Sequence, residues 1–319
     1  MRNRIWLLLT ALFVLVLCGC SGSGNDAAPA AETAPAAEVS ETSVPAAPKS
    51  AEPRDVPIEE SVFHEELAEG EDGVLIDLSE TDRGYFAVSA SSDSRLKVQV
   101  IKDEETYNYD IASDGTVSVF PLQCGDGSYL IRVMENVSES KYAELYATDT
   151  DVSMDDEFQP FLRPNDYVRY DADSECVALA ARLAGGAEST PEIAAAVYGY
   201  ICGSIVYDDE KAASVTSGYM PTPDETLATG RGICFDYASL TAAMLRSQGI
   251  PAQVIFGYVS PDGLYHAWNM FYTDETGWVT VDFEVSKDSW NRLDLTFAAN
   301  GADNEFIGDG SNYAELYKY

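Results

Sequence analysis

Apolar residues recur first at every second position and later at every third or fourth, and the change falls near residue 158. The short apolar runs 74–76, 85–88, 96–101, 116–120 and 129–133, with alternation clearest over 96–101 and 116–120, predict half-buried strands. Ser113-Asp114-Gly115 and Gly125-Asp126-Gly127 supply turn signals between them, at the spacing of an antiparallel sandwich. No group of residues in this part carries chemistry, so a spacer or a binding platform are both open. Beyond residue 158, the stretches 174–183 and 191–205 show amphipathic helical spacing, with Gly185-Gly186 between them, and predict a helical hairpin. Cys176 near its start and Cys202 near its end would lie level in antiparallel packing. A Cys176–Cys202 disulfide is therefore expected, the alternative being two small core residues.

The next segment predicts a helix, a turn and a second helix, followed by three strands. Thr222-Pro223-Asp224-Glu225 reads as a capping box with Pro at the first helical position. A further helix is expected to begin at Cys234 and to stop at Gly249, with Pro251 beyond it. Strands follow at 253–259, 265–272 and 278–282, separated by turns at 260–263 and 273–277.

The chain of 319 residues, 46% of them hydrophobic, is long enough for two domains, expected at 60–155 and 156–319. Ahead of them, Arg2 and Arg4 precede an apolar run over 5–17, too short to span a bilayer but suited to a signal peptide over 1–19. Leu17-Cys18-Gly19-Cys20 resembles the bacterial lipobox, which implies lipid attachment at Cys20 and a protein held on the extracytoplasmic face of the membrane. Residues 20–59 are rich in Ala, Pro and Glu and read as a linker.

Charge and cysteine usage narrow the function classes. A net charge of −35 opposes nucleic acid and anionic lipid, so no nucleic-acid partner is expected. Of six cysteines, Cys124, Cys176, Cys202 and Cys234 would remain in the processed body, where disulfides are permitted. His64 and His266 are the only histidines and there is no C-x-x-C pair, so neither metal nor cofactor is expected. The Asp-rich stretches 149–157 and 303–309 lack the ligand spacing of a calcium loop and read as solvated.

One constellation remains. A cysteine at a helix start meets unpaired backbone N–H groups and the positive end of the helix dipole, which favour a thiolate and can receive an oxyanion. The following strands offer His266 as a base. If the last hairpin closes between Tyr272 and Trp278, Asp282 lies opposite a position within about two residues of His266. Taken singly, each is more often structural: a core cysteine, a packed histidine, a turn aspartate. Tyr219, Tyr237, Tyr258 and Trp268 lie nearby in sequence, most of them expected in the core.

Order and local motifs together say more. Gly232-Ile233-Cys234-Phe235-Asp236-Tyr237-Ala238, the Gly249-Ile250-Pro251-Ala252 block, His266-Ala267-Trp268 and Gly277-Trp278-Val279-Thr280-Val281-Asp282 resemble the microbial transglutaminase-like family, over about 197–282. The resemblance implies an α+β papain-like core, here preceded by the all-β antiparallel sandwich, with Cys234 as nucleophile, His266 as base and Asp282 as orienting acid. It further implies a peptidase or acyltransferase acting through a thioester on protein or peptide substrates, wall-associated ones included. Phe283-Glu284 departs from the Pro or Thr that follows the Asp in many relatives, and no side-chain oxyanion donor is identified. The competing expectation is a non-catalytic surface lipoprotein that uses the same fold as an interaction module.

Overall fold

The computed structural model describes residues 52–216, 218–259, 264–281, 285–286, 289–290 and 313–319. The proposed signal peptide, Cys20 and Asp282 lie outside the described residues.

The five expected runs do become strands, β1 (Val74–Asp77), β2 (Tyr85–Ser91), β3 (Leu96–Lys102), β5 (Asp114–Pro121) and β6 (Gly127–Ser138), and two strands that were not expected, β4 (Glu105–Ile111) and β7 (Lys141–Val152), join them. They form two antiparallel sheets, ordered β1-β2-β5 and β4-β3-β6-β7. Along β3, Leu96, Val98 and Val100 face inward while Lys97 and Gln99 face out, the period-two pattern of a sheet with one dry face. Tyr109 of β4 and Phe120 of β5, ring centroids 4.6 Å apart, join the two sheets. Each such buried side chain contributes about 1.5–3 kcal/mol.

Helices follow: α1 (Glu175–Ala184), α2 (Thr190–Ser204), α3 (Asp209–Ser214), α4 (Pro223–Thr229) and α5 (Cys234–Arg246). Two short strands, β8 (Val206–Tyr207) and β9 (Arg231–Gly232), pair in parallel and bring the chain back to the start of α5. Then come β10 (Ala252–Val259), β11 (Leu264–Thr273), β12 (Gly277–Val281), the two-residue β13 (Val285–Ser286) and β14 (Ser289–Trp290), and β15 (Tyr313–Lys318). The order β12-β11-β10-β15 gives an antiparallel sheet. Against it lies α5, buried from Phe235 to Arg246, with only Cys234 partly exposed. Asn269 of β11 donates to the Ala238 carbonyl at 2.9 Å and fixes helix to sheet.

Two local expectations need correction. Thr222 sits at the N-cap of α4, with Pro223 following, but its side chain makes no capping bond. Asp224 turns away instead and accepts the N–H groups of Glu175 and Cys176, both at 2.9 Å, so α4 caps α1 from a distance. Cys176 and Cys202 are not joined in a disulfide. The helices do form a hairpin, but Cys176 lies 8 residues from its closed end at Ala184, whereas Cys202 lies 12 residues from Thr190. That offset is about one turn, roughly 6 Å along the axis, beyond what a bridge tolerates.

The N-terminal sheets and the helical part share a core. Tyr319 stacks on Tyr167 at 3.8 Å and meets Tyr109 edge-on at 5.7 Å. Asp166 and Val119 exchange hydrogen bonds, Asp166 N–H to the Val119 carbonyl at 3.1 Å and Val119 N–H to the carboxylate at 3.2 Å. Arg246, 2% exposed, donates to the carbonyls of Ala252, Arg163 and Tyr319, tying the end of α5 to β10 and β15. Burial pushes its guanidinium down to about 10. No helix among the described residues is long and apolar enough to cross a membrane.

Candidate active site

Helix α5 starts at Cys234 because of what precedes and follows it. Gly232 closes the β8–β9 pair, and a Cβ there would stand 2.6 Å from the Asp236 Cβ, so only glycine lets the chain pass. Ile233 occupies the N-cap with extended backbone. It has no polar side chain to cap with, and Asp236 reaches back to accept its N–H at 2.7 Å. The helical ladder begins with Tyr237 N–H to the Ile233 carbonyl at 3.1 Å, leaving the first N–H groups, those of Cys234 and its neighbours, without intrahelical partners.

Asp236 is fully buried and would burden the site with a negative charge two residues from the thiol. Lys211 of α3 offsets it at 2.8 Å, and the Tyr219 hydroxyl donates to the other oxygen at 2.5 Å. Burial, then the bond to Asp236, pushes the Tyr219 hydroxyl up to about 12, so it is a donor throughout the physiological range. The Lys211 ammonium also lies 4.6 Å from the Tyr219 ring centroid. Burial alone would lower the Lys211 ammonium, but its bonds to Asp236 and Tyr219 outweigh that and hold it above its usual value. The cluster ties Lys211 of α3 and Tyr219 to the start of α5. Asp236 stood inside the recognised sequence block, but nothing in its spacing revealed the partners Lys211 and Tyr219.

His266 stands on β11 directly opposite Gly257 of β10 and is 7% exposed. Its ring lies near that of Trp268, two residues on and fully buried, with centroids 6.5 Å apart and planes 22° apart. Gly257 is needed here because a Cβ would meet the Ala314 carbonyl oxygen at 2.2 Å and Trp268 at 2.7 Å. The last hairpin pairs Tyr272 with Trp278, the register expected from sequence, and its final described pair is Asn269 with Val281.

Cys234 and His266 open onto one cavity of about 440 Å³. Tyr219, Phe235, Tyr265 and Tyr319 give it aromatic walls, and Asn108 and Asp110 of β4 enter from the N-terminal sheets. Of the aromatic residues noted in sequence, Trp268 and Tyr237 are core, Tyr219 borders the cavity and Tyr258 is 46% exposed. Among the described residues no group of acidic, His or Cys side chains could hold a metal. A thiol at a helix N-terminus, an imidazole on the facing strand and a shared cavity are the elements of thiol chemistry on a carbonyl.

The family model of the transglutaminase-like superfamily matches residues 177–283. The transglutaminase-like segment runs from α1 to just beyond β12 and contains Cys234 and His266. Over 96 residues the chain is 39% identical to a protein-glutamine gamma-glutamyltransferase of Pseudomonas aeruginosa, which covers 25% of this chain and 14% of that protein. An uncharacterized protein of Mycobacterium leprae is 35% identical over 77 residues, 21% of this chain and 27% of that one. The chain thus spans about a quarter or less of the length of these relatives. Among solved structures, a candidate cysteine protease of Cytophaga hutchinsonii superposes with a TM-score of 0.40 at 16% identity, covering 77% of this chain and 75% of that one. The periplasmic domain of TgpA from Pseudomonas aeruginosa does so at 0.30 and 19%, covering 67% and 71%. The match to this family model supports a thiol enzyme.

Proposed function

We propose that this protein is an extracytoplasmic thiol enzyme that acts on amide bonds, with Cys234 as nucleophile, His266 as general base and acid, and Asp282 as the acid that orients His266. The observation that carries the reading is that Cys234, the first residue of α5, and His266 on the adjacent sheet line the same cavity. The Cys234 sulfur adds to the amide carbonyl, and the unpaired N–H groups at the start of α5 receive the oxyanion. His266, holding the thiol proton, passes it to the leaving amine as the C–N bond breaks, and a thioester remains on Cys234. Water then releases a carboxylic acid, or a primary amine forms a new amide. Lys211 balances the charge of the nearby Asp236.

The proposed substrates are proteins or peptides at the cell surface. A signal peptide over 1–19 and a lipid on Cys20 are part of the same reading, supported by the Arg2 and Arg4 flank and the lipobox-like Leu17 to Cys20.

The test incubates the wild-type chain and Cys234→Ala with a peptide library, with and without an added primary amine, and reads product masses. Cleavage, deamidation and amine incorporation give different mass changes, and all should vanish in the variant. A library that yields no Cys234-dependent product would favour the interaction-module reading.

A further inference from the structure

Asn108 and Asp110 belong to the N-terminal sheets, yet both border the cavity that contains Cys234 and His266. They share one face of β4, with Tyr107 and Tyr109 turned the other way into the core. Among the described residues lining the cavity, Asp110 is the one carboxylate, and no lysine or arginine is present. Its two oxygens have different surroundings. Oδ1 takes Arg95 at 3.1 Å and Lys97 at 3.8 Å. Oδ2 lies 4.0 Å from where a side chain on Gly218, a cavity residue, would begin. Arg95 is 65% exposed, and an ion pair so open to water holds its carboxylate weakly. Tyr265 and Tyr317, 52% and 37% exposed, add ring faces that attract cations. The net charge of −35 draws cations toward the surface in general, whereas Asp110 acts at the mouth of the site.

We propose that Asp110 makes this cleft a subsite for a cationic group, an alkylammonium or guanidinium, so that the N-terminal sheets set the charge selectivity of the transglutaminase-like thiol. The proposal rests on Cys234 being the accessible thiol of the cleft, and it gives the preceding sheets a part in substrate choice. Two sources share this chemistry: a basic side chain beside the reacting amide, and an amine that captures the thioester.

The experiment measures modification of Cys234 in the full chain by trimethylammonioethyl and sulfonatoethyl methanethiosulfonate, with peptide mapping to assign the thiol. The ratio of cationic to anionic rates should fall about threefold to tenfold in Asp110→Asn, as expected for one charge acting across several ångströms of screened solvent. Arg95→Ala, which leaves Oδ1 with Lys97 alone, should raise the ratio. A merely structural role for Asp110 would not move the two variants in opposite directions. A ratio unchanged in Asp110→Asn overturns the proposal.

Peptides bearing lysine or norleucine beside the amide, turned over with and without an added amine, separate the sources. A higher KM for the lysine peptide alone assigns the subsite to the amide donor, and slower amine capture relative to hydrolysis assigns it to the acceptor. Neither change, with turnover present, overturns the proposal. No turnover alongside an Asp110-dependent reagent ratio refutes the enzyme reading and upholds the charge selectivity.

Discussion

The Asp236 carboxylate accepts the Ile233 N–H at 2.7 Å, and this bond fixes where α5 begins and so where Cys234 stands. The same carboxylate holds Lys211 and Tyr219, and removing it would strand a cation and a hydroxyl that are largely withdrawn from water. Asp236→Ala is expected to cost about 3 kcal/mol in denaturant unfolding, toward the lower end for breaking a buried pair because Lys211 keeps some solvent. Lys211→Met should cost less, since the tyrosine and backbone donors remain.

Gly257 lies opposite His266 and is closed in by Ala314 and Trp268. Gly257→Ala cannot be absorbed by a flexible side chain, because the nearest obstacle is backbone oxygen. Either β15 or the strand bearing His266 must shift, with a loss of about 2–3 kcal/mol in unfolding and slower alkylation of Cys234. Unchanged stability would mean that β15 does not cover β10 at this point in solution.

Removal of the Asp224 side chain should uncap α1. Asp224→Ala takes away both acceptors at the start of that helix, and a loss of about 1–2 kcal/mol is expected by thermal unfolding. Thr222→Ala, whose hydroxyl makes no cap bond, should cost much less.

Part of this was legible in the sequence. Runs with a dry face, such as 96–101, announced their strands, and the glycine-bounded block around Cys234 announced the start of α5. The edge strand β7 was not legible because few of its residues are buried and its pattern does not alternate. In β4 only Tyr107 and Tyr109 are buried, too few to mark a strand. That omission hid the wall that brings Asp110 to the cleft. The Asp224 cap and the Lys211–Asp236 pair join residues 48 or more and 25 positions apart, and no local pattern encodes such contacts. The expected cysteine bridge failed on helix length, since α2 is one turn longer than its hairpin partner at the relevant end.

Acid sensitivity should depend in part on Asp77. Burial would raise its carboxyl, but the His64 N–H at 2.6 Å and the Ser79 N–H at 2.9 Å outweigh this and hold it below its usual value near 3.8. A depressed carboxylate stabilises the fold above its unfolded value and ceases to do so as pH falls through the lower folded one. Stability curves between about pH 5 and pH 2 should therefore fall less steeply for Asp77→Asn than for the wild type. Parallel acid limbs would show that Asp77 is not protonated on unfolding there.

Site-resolved alkylation with iodoacetamide tests the central assignment of Cys234 most directly. Burial, with Glu105 beside it, pushes the Cys124 thiol up to about 12, and burial also raises Cys176, so both should react slowly in the folded chain. The account predicts that Cys234 is labelled first among Cys124, Cys176, Cys202 and Cys234, and that His266→Ala slows its labelling at least about tenfold. Faster labelling at any other cysteine, or an unchanged Cys234 rate in His266→Ala, would contradict it.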